Sequence, residues 1–191
     1  MRQDVSEETD EEIVRLIQSG SFEFFDVLIK RYEAKIGRYA RKFLSDNEDI
    51  SDVLQDIFIK VYRNIQSFDV KRKFSSWLYR IAHNELVNDL KKKKKKTLPL
   101  FDLDVFLPQH LRDNNLNERL ELKDIQETVD KCLDKLEIKY REPLILYYFE
   151  GMNYKEIADV MQIPVSTVGV RIKRAKEIMK PILKSLKYNH E

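Results

Sequence analysis

The chain has 191 residues, of which 42% are hydrophobic and 36% charged, with only four Gly and five Pro. That is enough apolar material for one modest core or two small ones, and too little turn punctuation for an all-β fold. The formal net charge of +2 neither demands nor excludes a nucleic-acid partner, and the single cysteine, Cys132, excludes an intramolecular disulfide and fits a small core residue better than a catalytic thiol.

Charge is unevenly distributed. Asp4, Glu7, Glu8, Asp10, Glu11 and Glu12 stand against Arg2 alone at the start, whereas Lys91 to Lys96 is an unbroken lysine run. The first ten residues hold no apolar signal-peptide core, and the longest apolar run, Leu144 to Phe149, is too short to cross a bilayer. A cytoplasmic location without direct membrane insertion is expected.

Between Glu11 and Leu90 apolar residues recur at intervals of three and four. A short helix near Glu11–Gln18 comes first. Phe22, Phe25, Leu28, Ile29, Tyr32, Ile36, Tyr39 and Phe43 mark a long amphipathic helix with Ser21 as its N-cap. After Asp46-Asn47, Val53, Leu54, Ile57, Phe58, Val61, Tyr62 and Ile65 share one face of the next helix, and Asp52, Gln55, Asp56 and Lys60 lie mostly on the other. The segment SFDVKRKFSS interrupts the period, and Ser75 or Ser76 caps a third long helix carrying Trp77, Leu78, Ile81, Ala82, Leu86 and Leu90.

From Lys91 to Asn117 no helical period is evident, and Pro99 and Pro108 punctuate the stretch. It reads as a linker, although its apolar residues, Leu98, Leu100, Phe101, Leu103, Val105, Phe106 and Leu107, are too many for a plain solvated tether and suggest that it lies on a partner surface. A second helical domain begins near Leu116 with Leu120, Leu122, Ile125, Val129, Cys132, Leu133 and Leu136 at helical spacing, followed by a helix over Tyr140–Glu150 that Gly151 stops.

In NYKEIADVMQIPVSTVGVRIKRAKEIMK, Asn153 caps a short helix over Tyr154–Met161, Gln162-Ile163 makes a tight turn, and Pro164 suits the first turn of the helix that follows. Ile157, Ala158, Val160, Met161, Ile163, Val168 and Ile172 fill the angle between the two helices. Ser166, Thr167, Val170, Arg171, Lys173, Arg174 and Lys176 project from the second, and their cations and hydroxyls suit phosphates and base edges. The expected fold is therefore all-α, with two helical domains over residues 1–95 and 118–191 joined by a flexible linker over 96–117.

The stretch YKEIADVMQIPVSTVGVRIKRAK, with LDKLEIKYREPLILYYFEGM before it, closely resembles the fourth conserved region of bacterial RNA polymerase sigma factors. Independently, ISDVLQDIFIKVYRNIQSF and RKFSSWLYRIAHNELVNDLKKKK resemble the second conserved region. Two motifs in the right order cover most of the chain, and the lack of other recognisable regions marks the small extracytoplasmic-function class. Gln162 stands where glycine is frequent in the family, and Gly169 where a basic or polar residue is frequent.

The resemblance implies a transcription initiation factor that is not itself an enzyme and has no catalytic residue, cofactor or metal. It assigns Asp52, Gln55 and Asp56 to core polymerase, docking on the clamp of the largest subunit, with the second-largest subunit as a further contact. Phe68, Lys71, Arg72, Lys73, Trp77, Arg80 and Asn84 would bind the minus-ten element, with Phe68 and Asn84 holding a flipped base. Of these, Trp77 with Leu78 and Ile81 reads better as a core residue than as a stacking platform. Lys155, Ser166, Thr167, Arg171, Lys173, Arg174 and Lys176 would bind the minus-thirty-five element. The lysine block would extend the third helix along phosphates. The class further implies an anti-sigma factor, often membrane-anchored.

Two other readings are weaker. A stand-alone regulator would bind DNA with its second domain and sense a signal with its first, which leaves the SFDVKRKFSSWLYRIAHN resemblance unexplained. A metal-dependent nuclease would need more than Asp52 and Asp56 one helical turn apart, and His83, His110 and His190 are scattered.

Overall fold

The structure, a computed structural model, describes residues 7–97 and 128–188. The chain divides into two compact units, Met1–Pro99 and Leu100–Glu191. Among the described residues there is helix and no strand, as an all-α fold requires.

The first unit holds α1 (Asp10–Gln18), α2 (Phe25–Arg41), α3 (Asn47–Asn64) and α4 (Phe74–Thr97). Helix α1 starts at a capping box, in which the Thr9 hydroxyl accepts the Glu12 N–H at 3.3 Å and the Thr9 N–H donates to the Glu12 carboxylate at 2.9 Å. Asp10, Glu11 and Glu12 crowd its first turn, where carboxylates favour the positive end of the helix dipole. Asp10 then ties α1 to α2, accepting from the Tyr32 hydroxyl and pairing with Arg31 at 2.8 Å.

The start of α2 departs from expectation. A 3-10 turn occupies Phe22–Phe24, and Ser21 makes no side-chain cap bond because its backbone is not in the extended conformation of an N-cap. The turn after α1, with Gly20 at φ +109°, sets that geometry. Phe22 consequently stays 47% exposed. In α3 the Asp46 side chain is the N-cap, accepting from the N–H groups of Glu48 and Asp49. Val53, Ile57 and Val61 are buried, but Tyr62 lies off that stripe and rests edge-on against Phe25.

Helix α4 begins earlier than a Ser75 or Ser76 cap would allow. Its first residue is Phe74, whose N–H donates to the Glu11 carboxylate of α1 at 2.7 Å, so the cap comes from another helix. Ser76 is buried inside the first turn. At the other end α4 runs through the whole lysine block to Thr97, past the boundary expected at 95 and through residues read as linker. Lysine is a good helix former, and an unbroken run of one polar residue carries no apolar period to detect. The stretch from 98 onward, including the acidic and apolar segment Phe101–Phe106, lies outside the described residues.

The second unit holds α5 over 128–134, α6 (Ile138–Tyr148), α7 (Tyr154–Met161) and α8 (Val165–Tyr188). The part of the expected helix over 116–127, with Leu120, Leu122 and Ile125, lies outside the described residues. Cys132, Leu133 and Leu136 are buried, and burial pushes the Cys132 thiol above its ordinary pKa. Helix α6 ends at Tyr148, two residues before Glu150, and Gly151 at φ +66° turns the chain so that the Met152 N–H reaches the Leu146 carbonyl at 3.0 Å.

Arg141 closes the corner between α5 and α6. It is 4% exposed and donates to the carbonyls of Asp134 and Leu136 at 2.7 and 3.2 Å, satisfying backbone groups that the end of α5 leaves open. Burial pulls its pKa down, and the Asp134 carboxylate at 3.5 Å opposes that shift.

Candidate nucleic-acid interface

In the second unit the interface is built from the turn outward. The Asn153 side chain accepts from the N–H groups of Lys155 and Glu156 at 2.9 and 3.1 Å, and the Glu156 carboxylate accepts the Asn153 N–H at 2.8 Å. This capping box starts α7 as the Asn153 expectation requires. Gln162 ends it at φ 54°, a left-handed conformation for which glycine pays no side-chain penalty. Pro164 precedes α8 rather than lying within it, and its carbonyl accepts the Val168 N–H at 3.2 Å.

Ile157, Ala158, Val160, Met161, Val168 and Ile172 are buried between α7 and α8, with Ile163 half-buried at the turn. That seam fixes which side of α8 faces out. Ser166, Lys173 and Arg174 are exposed, and Thr167 and Arg171 are half-buried beside them. Arg174 also pairs with Glu177 at 3.2 Å, a contact between exposed groups that contributes little to stability. Lys155 is exposed on α7.

Lys176 is placed apart from this set. Its ammonium lies 5.1 Å from the centroid of the Tyr148 ring, and a hydrogen bond with Tyr148 raises its pKa. Tyr148 belongs to an aromatic group with Tyr147 and Tyr154, whose successive centroids are 4.9 and 5.4 Å apart. Sequence periodicity gave no sign of this group, because its members come from α6 and α7 and meet only in the folded unit.

In the first unit the minus-ten candidates split between core and surface. Phe68 is 5% exposed, and its ring packs on Phe74 and Trp77 with centroids 5.8 and 4.9 Å away. Gln18 pins the loop by donating to the carbonyls of Ile65 and Phe68 at 2.8 and 2.9 Å. Trp77 is half-buried, and Phe74 and Tyr79 are core residues. Lys71, Arg72 and Lys73 are exposed on a turn held by Asp69, whose carboxylate accepts the Lys71 N–H at 3.0 Å. Arg80 is half-buried and Asn84 exposed, and their spacing of four puts them on one face of α4.

Asp52, Gln55 and Asp56 are exposed on α3, opposite the Val53, Ile57 and Val61 stripe. The structure thus leaves this acidic surface available for a basic partner. Among the described residues no cluster of His, Cys, Asp and Glu could hold a metal ion. His83 is half-buried, while His110 and His190 lie outside the described residues.

Comparison with known proteins agrees with this geometry. The family described as sigma-70 region 2 matches residues 28–96, and that described as sigma-70, region 4, matches residues 126–179. The RNA polymerase sigma-H factor of Pseudomonas aeruginosa is 36% identical, over 95% of this chain and 97% of its own length. The ECF RNA polymerase sigma factor SigW of Bacillus subtilis is 32% identical, over 91% of this chain and 96% of its own. Among solved structures, CnrH in complex with the cytosolic domain of CnrY superposes with a TM-score of 0.68 at 26% identity, covering 92% of this chain and 97% of that one. RpoE of Bartonella quintana, solved with the anti-sigma factor NepR, has a TM-score of 0.65 at 21% identity, covering 84% and 96%, and so shares the fold.

Proposed function

The chain belongs to the sigma-70 family of RNA polymerase sigma factors, in its extracytoplasmic-function class, and from that premise we propose how its two units divide the work. The protein is a bacterial transcription initiation factor: it associates with core RNA polymerase, directs it to promoters and assists their melting. Residues 1–95 form the unit that meets the polymerase and the minus-ten element, residues 96–117 connect the units, and residues 118–191 meet the minus-thirty-five element.

The observation that carries this division is the outward face of α8, where Ser166, Lys173 and Arg174 are exposed opposite the buried Val168 and Ile172. A helix-turn-helix presenting hydroxyls and cations this way suits insertion into a major groove. Lys155, Thr167, Arg171 and Lys176 flank it. Asp52, Gln55 and Asp56 dock on the clamp of the largest polymerase subunit, with the second-largest subunit as a further contact. Lys71, Arg72, Lys73 and Arg80 follow strand phosphates, and Phe68, Trp77 and Asn84 hold the unpaired base.

The chemistry of RNA synthesis belongs to the polymerase, so the chain needs neither catalytic residue nor cofactor of its own. It works in the cytoplasm, where polymerase and chromosome are, and no helix among the described residues is long and apolar enough to cross a membrane. A protein of the anti-sigma type, in many cases membrane-anchored, is its regulatory partner; the complex of CnrH with the cytosolic domain of CnrY supports this.

Reconstitution with core polymerase and a promoter library, read by transcript start sites, tests the proposal. Specific starts are expected only when both the chain and core polymerase are present. Specific DNA binding by the chain alone, with no effect of core polymerase on starts, would instead support a stand-alone regulator.

A further inference from the structure

Resting on the reading that α8 enters the major groove, we infer that Val170 is a specificity-determining residue that contacts the C5-methyl group of one thymine in the upstream promoter element. Val170 is 66% exposed, more than any other exposed large apolar side chain among the described residues. It is the sixth residue of α8, in the N-terminal part from which recognition helices meet base edges.

Its direction follows from the buried stripe. Val168, Ile172 and Ala175 are at most 1% exposed and mark the side of α8 that packs on its unit. At about 100° per residue, Val170 lies roughly 165° from the middle of that stripe, whereas Arg171 and Lys176 lie only about 65° and 75° from it. Ser166, Lys173 and Arg174 surround Val170 on the outward side, and all three are polar and exposed.

An isolated β-branched residue at this pole contributes nothing to the core and forms helix less readily than alanine or lysine. Its neighbour Gly169 carries no side chain, and a Cβ there would meet the Tyr154 ring at 3.4 Å, so that position does not screen the valine methyls. The fold therefore gives no reason for valine, and the groove does. Adenine, guanine and cytosine present donors and acceptors on the major-groove edge, and thymine adds a methyl group. Against that methyl the isopropyl group displaces water without stranding a polar atom; against the other edges it leaves a donor or acceptor unmatched.

The test uses holoenzyme with promoters selected from a library by the parent protein, replacing each upstream thymine singly by deoxyuridine, which removes only the methyl. At one position the replacement should weaken parent binding about fourfold, the factor expected for one buried methyl group. Val170→Ala, which retains helix propensity at an exposed site, should bind the thymine promoter as weakly as the parent binds the uracil promoter and should be indifferent to that replacement. Equal uracil effects in parent and variant at every position would overturn the assignment, as would a parent that reads the upstream element yet is insensitive to uracil throughout. A parent holoenzyme indifferent to the whole upstream element would overturn the groove reading and this inference together.

Discussion

In the first unit the aromatic residues beside the basic turn also hold the fold together: Phe68 and Phe74 are 5% and 1% exposed, and Trp77 packs against both. In the second unit α8 keeps the core and the proposed DNA face apart, burying Val168, Ile172 and Ala175 on one side and exposing Ser166, Val170, Lys173 and Arg174 on the other. On the proposed reading, folding and DNA contact would be coupled where a strand must be opened and separable where an intact duplex is read. A flipped base needs an apolar surface to stack on, so if Phe68 and Trp77 hold one as proposed, the base would have to displace part of their packing. A duplex needs mainly cations and hydrogen-bonding groups, which are stable in water.

The largest expected effect lies on the acidic surface of α3, which is separable from the core although it belongs to the first unit. Asp52→Arg with Asp56→Arg should eliminate core polymerase binding in a pull-down at moderate salt, because like charges at such an interface cost several kcal/mol, while leaving the unfolding midpoint unchanged. A double variant that bound core normally would remove these residues from the interface.

Coupling in the first unit is sharpened by comparing Phe68→Ala with Asn84→Ala. The first should destabilise the unit by about 3–5 kcal/mol, as for a buried phenylalanine, and also slow promoter opening. The second should alter stability by less than about 0.5 kcal/mol, since Asn84 is exposed, and still slow opening. Denaturant unfolding measures one quantity and permanganate footprinting the other. A pre-melted template should restore opening only in part, because it supplies the unpairing energy without the pocket contacts.

Separability in the second unit predicts the opposite pattern for Arg171→Ala and Arg174→Ala. Each should weaken binding of upstream promoter duplex by about 1–3 kcal/mol if it meets a base, or evenly across sequences if it meets a phosphate, with core binding retained. Substantial loss of helix content in either variant would break the comparison. The smallest effect concerns the turn: Gln162→Gly should stabilise the second unit by about 0.5–1 kcal/mol by relieving the left-handed backbone at φ 54°, a change read from thermal unfolding.

The amino-acid sequence by itself determined the helical class, the two helical domains, the Asn153 cap, the tight turn at Gln162 and the outward position of Ser166, Lys173 and Arg174. These follow from apolar spacing of three and four and from capping bonds that reach no further than three residues, so they are visible within a short window. Only the tertiary structure decided that α4 starts at Phe74, because the carboxylate that accepts its N–H belongs to Glu11, 63 residues away. It likewise placed Phe68 in the core, turned Lys176 onto Tyr148 and drew Arg141 inside to hold the end of α5. Periodicity says which side of a helix is apolar; which partner covers it, and which distant polar group completes a backbone hydrogen bond, depends on packing between elements.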